Sequence, residues 1–281
     1  MKLCIRAHDL GTMGTEGIIN KIKEYELDGI QLVVYKVYDD VAYAPGAITN
    51  EKAIEIGNIM KEAGVLVPYV GAYFNPIHSN SEKRDNCKEV FKDYIKVSKE
   101  LGSYIVGSET GSYNDDNWNY NPKNRTDEAL NRVIEVFREL ALEAKANGSF
   151  IAIEGAAGHV CYDVKTLKKA IDAINLDNVK VVFDLFNYMD ETNKHQYLDI
   201  LKEGIETFGD KILLFHMKDC VFGENDKAPQ FVPYGEGEMN IKEILKLIKA
   251  HNKDAILTLE DTTGDYIRSG SKLIREIWEM I

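Results

Sequence analysis

Eight short apolar runs, each followed by a longer stretch with helical periodicity, constrain this chain more than any single residue does. The runs fall at 3–8, 29–35, 65–73, 103–109, 150–155, 179–185, 211–217 and 255–261. They are apolar at nearly every position, as strands are when both faces of a parallel sheet are buried. Between the second and third runs, Ala53, Ile56, Ile59, Met60 and Ala63 form one helical face, and Gly64 closes it. Helical patterns also cover 15–26, 81–101 and about 126–146. Eight such units in 281 residues predict an α/β fold, a (β/α)8 TIM barrel forming a single domain over residues 1–281. The rival is a doubly wound open sheet, which calls for a GxGxxG turn after the first strand. "HDLGTMGTEG" spaces its glycines as GxxGxxG instead.

The charge balance narrows the function. Asp and Glu total 46 against 34 Lys and Arg, a net charge of -12. That opposes a nucleic-acid groove, which depends on clustered cations. Cys4, Cys87, Cys161 and Cys220 lack CxxC spacing, so the expectation is a reduced, cytoplasmic protein without a disulfide framework. The N-terminus lacks a signal-peptide core, and no stretch is long and apolar enough for a membrane span. Nothing forbids a homo-oligomer.

In a barrel of this kind the chemistry sits where the strands end. The fifth run ends at Glu154, the sixth at Asp184, the seventh at His216 and the eighth at Glu260. Each residue alone has a plainer reading. A carboxylate past a strand is often a helix cap or a solvated loop charge, and a histidine there is often only hydrogen-bonded. Four consecutive strands delivering such groups to one rim point instead to a metal. The donor set suits one divalent ion per chain, Mn²⁺, Mg²⁺ or Co²⁺, with Zn²⁺ a further option. Without a cation the three carboxylates would raise one another's pKa.

"FIAIEG", "VVFDLFN", "FHMKD", "PYGEGEMN" and "TLED" resemble the xylose-isomerase-like sugar phosphate isomerases and epimerases. The likeness runs through all eight units and is most specific from about residue 149 to 261. It implies that Glu154, Asp184, His216 and Glu260 bind one divalent metal, and that the two glutamates also act as acid and base. The implied substrate is a small ketose or ketose phosphate, and the implied reaction moves a proton next to its carbonyl. The free-ketose 3-epimerases of that group carry a histidine where this chain has Asn187, and an arginine where it has Phe222. Both contact substrate there, so this chain is expected to prefer a different sugar.

Further candidates for substrate binding are Lys218, Asn187, His8, Glu109 and Trp118. Lys218 either polarises a substrate oxygen or pairs with Asp219. His8 and Glu109 end strands, as do Tyr35 and Tyr73, and Trp118 lies in a polar loop able to cover the mouth. "YGEGEMN" offers backbone amides to a phosphate, or simply enters a helix. His195 and His251 read as solvated surface, while His78 and His159 lie in loops without an assigned partner. Three other functions stay open. A metal-dependent inosose-type dehydratase would share the site, an endonuclease IV-like phosphodiesterase would need extra histidines, and a non-catalytic sugar-binding barrel would need no metal.

Overall fold

In the computed structural model, which describes residues 1–224 and 227–281, eight parallel strands close into a barrel. The barrel strands are β1 (Lys2–Arg6), β2 (Gly29–Leu32), β3 (Leu66–Gly71), β4 (Ile105–Glu109), β5 (Phe150–Glu154), β6 (Val179–Asp184), β7 (Ile212–Met217) and β10 (Ile256–Leu259). A short antiparallel hairpin, β8 (Asp219–Val221) and β9 (Gln230–Val232), interrupts the seventh unit. β1 pairs with both β2 and β10, so the first and last barrel strands form the closing seam.

Helices surround the barrel: α1 (Gly14–Glu24), the one-turn α2 (Val34–Val37), α3 (Asn50–Glu62), α4 (Ser81–Val97), α5 (Asp127–Ala146), α6 (Val164–Ile174), α7 (Tyr197–Phe208), α8 (Ile241–His251) and α9 (Asp265–Met280). Their starts are fixed by local chemistry. Thr49, Asn80, Thr126, Asp163 and Asn240 each accept the N–H of the residue three positions on. Such a cap is worth about 1 kcal/mol. Among the described residues, no helix is long and apolar enough to cross a membrane.

Two layers of apolar side chains hold the sheet. Outside it, helix residues such as Phe91, Phe137 and Leu140 are fully buried. Inside, Tyr69, Ala152, Val182 and Leu214 form a separate small cluster that plugs the barrel below its mouth. Gly107 on β4 makes room for that plug, since a Cβ there would strike the Tyr69 ring and the Ala152 carbonyl. The plug sets a floor, and polar strand ends begin above it. Register places Asp184 beside His216 and Glu109 beside Glu154.

The second run departs from expectation. Its strand stops at Leu32, and Val34 to Val37 turn into α2, which carries Tyr35 onto Tyr43 with ring centroids 4.5 Å apart. An unbroken apolar run does not mark where a chain leaves the sheet, because the residues remain buried in either conformation.

Candidate active site

The four strand-end groups converge. Nδ1 of His216 lies 2.8 Å from Glu260 Oε2, 3.3 Å from Asp184 Oδ2 and 3.4 Å from Glu154 Oε1. Ligand atoms of Glu154, Asp184 and His216 all fall within 4.8 Å of one another, and the three residues are buried. Among the described residues, His216 Nδ1 and Glu260 Oε2 have no hydrogen-bond partner, and Asp184 Oδ2 has only the ammonium of Lys218, 3.0 Å away. Leaving a buried polar atom unpaired costs about 1–3 kcal/mol. Neighbouring ligands on an octahedral ion of Mg²⁺ size, each about 2.1 Å from it, stand about 3 Å apart. The unpaired atoms and their spacing therefore fit a divalent cation.

These groups make further contacts, and Glu154 Oε1 is shared between the centre and Asn187. Glu260 Oε1 accepts from Arg6 Nη1, and Lys218 Nζ stands 3.4 Å away. Asp184 Oδ1 accepts the Asn187 N–H at 3.0 Å, and Asn187 Nδ2 donates to Glu154 Oε1 at 2.8 Å. His216 Nε2 lies 2.7 Å from Gln31 Oε1, while Gln31 Nε2 donates to the Tyr73 hydroxyl at 2.8 Å. With the amide oriented by Tyr73, its oxygen accepts the Nε2 proton and the Nδ1 lone pair faces the carboxylates. Sequence reasoning missed Gln31. Its signal was one amide within "GIQLVVY", and it is fully buried. Gln31→Leu should weaken metal binding by about 10–100-fold, as the loss of a residue supporting a ligand does. Titration of metal-stripped protein checks this, and unchanged affinity would reduce Gln31 to packing.

Electrostatics separates the two glutamates. Burial pushes Glu154 up to about 7, against the pull of His216. Burial also raises Glu260, but His216, Lys218 and Arg6 outweigh it and hold that carboxyl well below the usual range. For His216, burial opposes the charge, yet Glu260 and Glu154 lift its pKa well above the ordinary histidine value. Lys218 likewise stays an ammonium, because Asp184 and Glu260 overcome the cost of burying it.

Above this centre lies a cavity of about 510 Å³. Glu154 and Glu260 reach its wall, and so do His8, Glu109, Trp118, Asn187 and Lys218. Asp184 and His216 are buried behind that wall. Tyr35 and Tyr73 also line the cavity, together with Arg6, Lys36 and Asp261, which sequence reasoning passed over. Burial, reinforced by Arg6 and Lys36, pulls His8 down to about 3, so its imidazole is neutral. Burial pushes Glu109 up to about 7.

Several expectations need correction. Lys218 does not pair with Asp219; it lies 3.0 Å from Asp184, 3.4 Å from Asp261, and donates to Asn187 Oδ1 at 3.2 Å. Asp219 instead accepts the N–H groups of Cys220, Gly235 and Gly237 at 2.8–3.1 Å. The glycine turn therefore gives its amides to its own chain, which removes it as a phosphate site. Phe222 lies off the cavity wall, with its ring 5.0 Å from His195 and 5.6 Å from Tyr197. His195 is exposed, but His251 is half-buried, edge-on to Phe215 with ring centroids 6.4 Å apart. His159 is buried, and its ring stands 5.7 Å from Trp118.

The model of the xylose isomerase-like TIM barrel family matches residues 19–277. The chain belongs to that family. A D-tagatose 3-epimerase-like protein superposes with a TM-score of 0.78 at 18% identity, covering 100% of this chain and 98% of that one. IOLI protein, solved with a bound zinc atom, gives 0.69 at 16% identity, covering 100% and 96%. The uncharacterized protein MJ1311 of Methanocaldococcus jannaschii is 23% identical over 224 residues, 78% of this chain and 72% of its own. These likenesses establish the fold.

Proposed function

We propose that this xylose isomerase-like barrel is a divalent-metal-dependent epimerase or isomerase of a ketose, moving a proton on the carbon next to the carbonyl. One observation carries the reading: Glu154 and Glu260 flank the Asp184–His216 pair at the base of the cavity. Glu154, Asp184, His216 and Glu260 would hold the metal, which supplies a Lewis acid for the carbonyl and its neighbouring hydroxyl. Glu260, kept ionised by Arg6 and Lys218, takes the proton from the carbon. Glu154, oriented by Asn187 and protonated beforehand, gives a second proton from the other side. Delivery to the same carbon inverts it; delivery to the adjacent carbon, with the neighbouring hydroxyl's proton moved to the former carbonyl oxygen, isomerises the sugar. Lys218 remains charged beside the oxygen that gains electron density.

The cavity wall also bears on the substrate's charge. Glu109, Asp116, Glu154, Glu260 and Asp261 face Arg6, Lys36 and Lys218 across it. With Asp184 of the centre included and Glu109, pushed up to about 7, taken as protonated, carboxylates exceed cations by two; one divalent ion balances these and leaves no surplus for a phosphate dianion. A neutral ketose or inosose therefore fits better than a ketose phosphate. Asn187 ties Lys218 to Glu154, where the free-ketose 3-epimerases have a histidine, so free hexuloses should turn over weakly.

The test is a panel of free ketoses, ketose phosphates and inososes incubated with Mn²⁺-loaded protein in D₂O. The expected result is solvent deuterium on the carbon next to the carbonyl of a neutral substrate. Preferential turnover of phosphates would overturn the charge argument, and exchange into none of the panel would overturn the function. Glu109 gives an inosose-type dehydratase its specific support, because a third carboxyl beside Glu154 is placed to protonate a leaving hydroxyl. That reaction would show itself as a product lighter by one water.

A further inference from the structure

Arg6 is the last residue of β1, and three carboxylates surround its guanidinium. Asp9 takes it edge-on, accepting from Nε at 3.1 Å and from Nη2 at 2.8 Å. Asp261 and Glu260 accept one N–H each, from Nη2 and Nη1. One hydrogen bond fixes a distance, whereas a contact through two nitrogens also fixes the plane of the guanidinium. Asp9 therefore decides where Nη1 points, although it lies off the cavity wall and its side chain is 7% exposed.

The same carboxylate reaches Glu260 a second way. Asp9 Oδ2 accepts the N–H of Asp261 at 3.0 Å. Asp261 follows Glu260 directly and has a φ of 53°, in the left-handed region that residues other than glycine rarely adopt. Such a conformation persists where the surroundings enforce it. Glu260 is thus held at its side chain through Arg6 and at its backbone through Asp261. Its two oxygens have separate duties as a result. Oε1 accepts from Arg6, with Lys218 at 3.4 Å. Oε2 lies 2.8 Å from His216 Nδ1 and has no hydrogen-bond partner among the described residues. A carboxylate free to rotate could instead offer both oxygens to one divalent ion.

We infer that Asp9 is the positioning residue of Glu260: through Arg6 it holds Oε1 on the cations and leaves Oε2 alone facing the centre. This rests on reading Glu260 as a metal ligand and proton carrier, and metal binding is measured apart from turnover.

Asp9→Asn separates the two holds. Its one acceptor oxygen can keep the Asp261 N–H, but its NH₂ then meets the guanidinium edge. Metal-stripped protein titrated with Mn²⁺ should lose about 10–100-fold in affinity, as when a residue supporting a ligand is removed. Arg6→Lys, which keeps the charge and loses the fork, should lose a similar factor. Adding Asp9→Asn to Arg6→Lys should change affinity by no more than about twofold, because the fork is already gone. The missing negative charge by itself would weaken Mn²⁺ equally in both backgrounds, so full multiplication of the two losses overturns the inference. Wild-type affinity in Asp9→Asn overturns it too. If that variant fails to fold, wild-type affinity in Arg6→Lys does the same. At saturating Mn²⁺, Asp9→Asn should lower kcat about 10–100-fold on the best substrate of the panel above. KM should stay unchanged, since Asp9 does not reach the cavity. An unchanged kcat overturns the inference. If the affinities follow this pattern and no sugar turns over, the inference stands and the proposed reaction falls. A wild type that takes up no Mn²⁺ removes both.

Discussion

Replacing Glu154 or Glu260 by Gln should lower turnover by roughly 10²–10⁴-fold, the usual worth of a positioned acid or base. The amide keeps the side chain's shape and one oxygen for the metal, but it can neither accept nor return the proton. The fold should survive either change. Arg6 retains Asp9 and Asp261 as partners when Glu260 is neutralised, and Asn187 can still hydrogen-bond an amide oxygen at position 154. Metal content must be measured in the same samples, because loss of the ion would mimic loss of the base. If both variants hold metal and turn over normally, the glutamates do not carry the proton.

His216→Ala should cost more metal affinity than the roughly 10–100-fold expected for a supporting residue such as Gln31. It removes the nitrogen that lies within 3.4 Å of all three carboxylates. The same imidazole gives the wild type a pH signature. Burial works against its charge, but Glu260 and Glu154 raise its pKa in the metal-free protein. A raised folded-state pKa stabilises the fold below the unfolded value of about 6.5, and this contribution is lost as pH climbs through the folded value. The metal needs the neutral ring, so binding expels that proton, and affinity should rise about tenfold per pH unit for each proton released. Metal-free protein should therefore lose this part of its stability toward alkaline pH, while the rise in Tm on adding Mn²⁺ should grow. Calorimetry in buffers of differing ionisation enthalpy counts the protons. A metal affinity flat between about pH 6 and 9 would contradict a histidine ligand.

The barrel was legible because buried parallel strands leave uninterrupted apolar runs, and Glu154, Asp184, His216 and Glu260 were legible because they end such runs. Gln31 and Arg6 were harder. Each acts on a residue about two hundred positions or more away, and that proximity exists only once the sheet closes. Lys218 and Asp219 show another limit. They are neighbours in sequence, yet one turns into the cavity and the other into the glycine turn, because successive side chains of an extended chain point opposite ways. The three-residue strands β8 and β9 are too short to leave a periodic trace.

The seam between β1 and β10 has a consequence in time. Arg6 and Glu260 are separated by 254 positions, so one of the cations that hold Glu260 ionised leaves the ribosome among the first residues and its partner among the last. A nascent barrel cannot assemble the pair of opposed glutamates until the final strand has docked against the first. The proton transfer proposed above is thus withheld from every shorter translation intermediate.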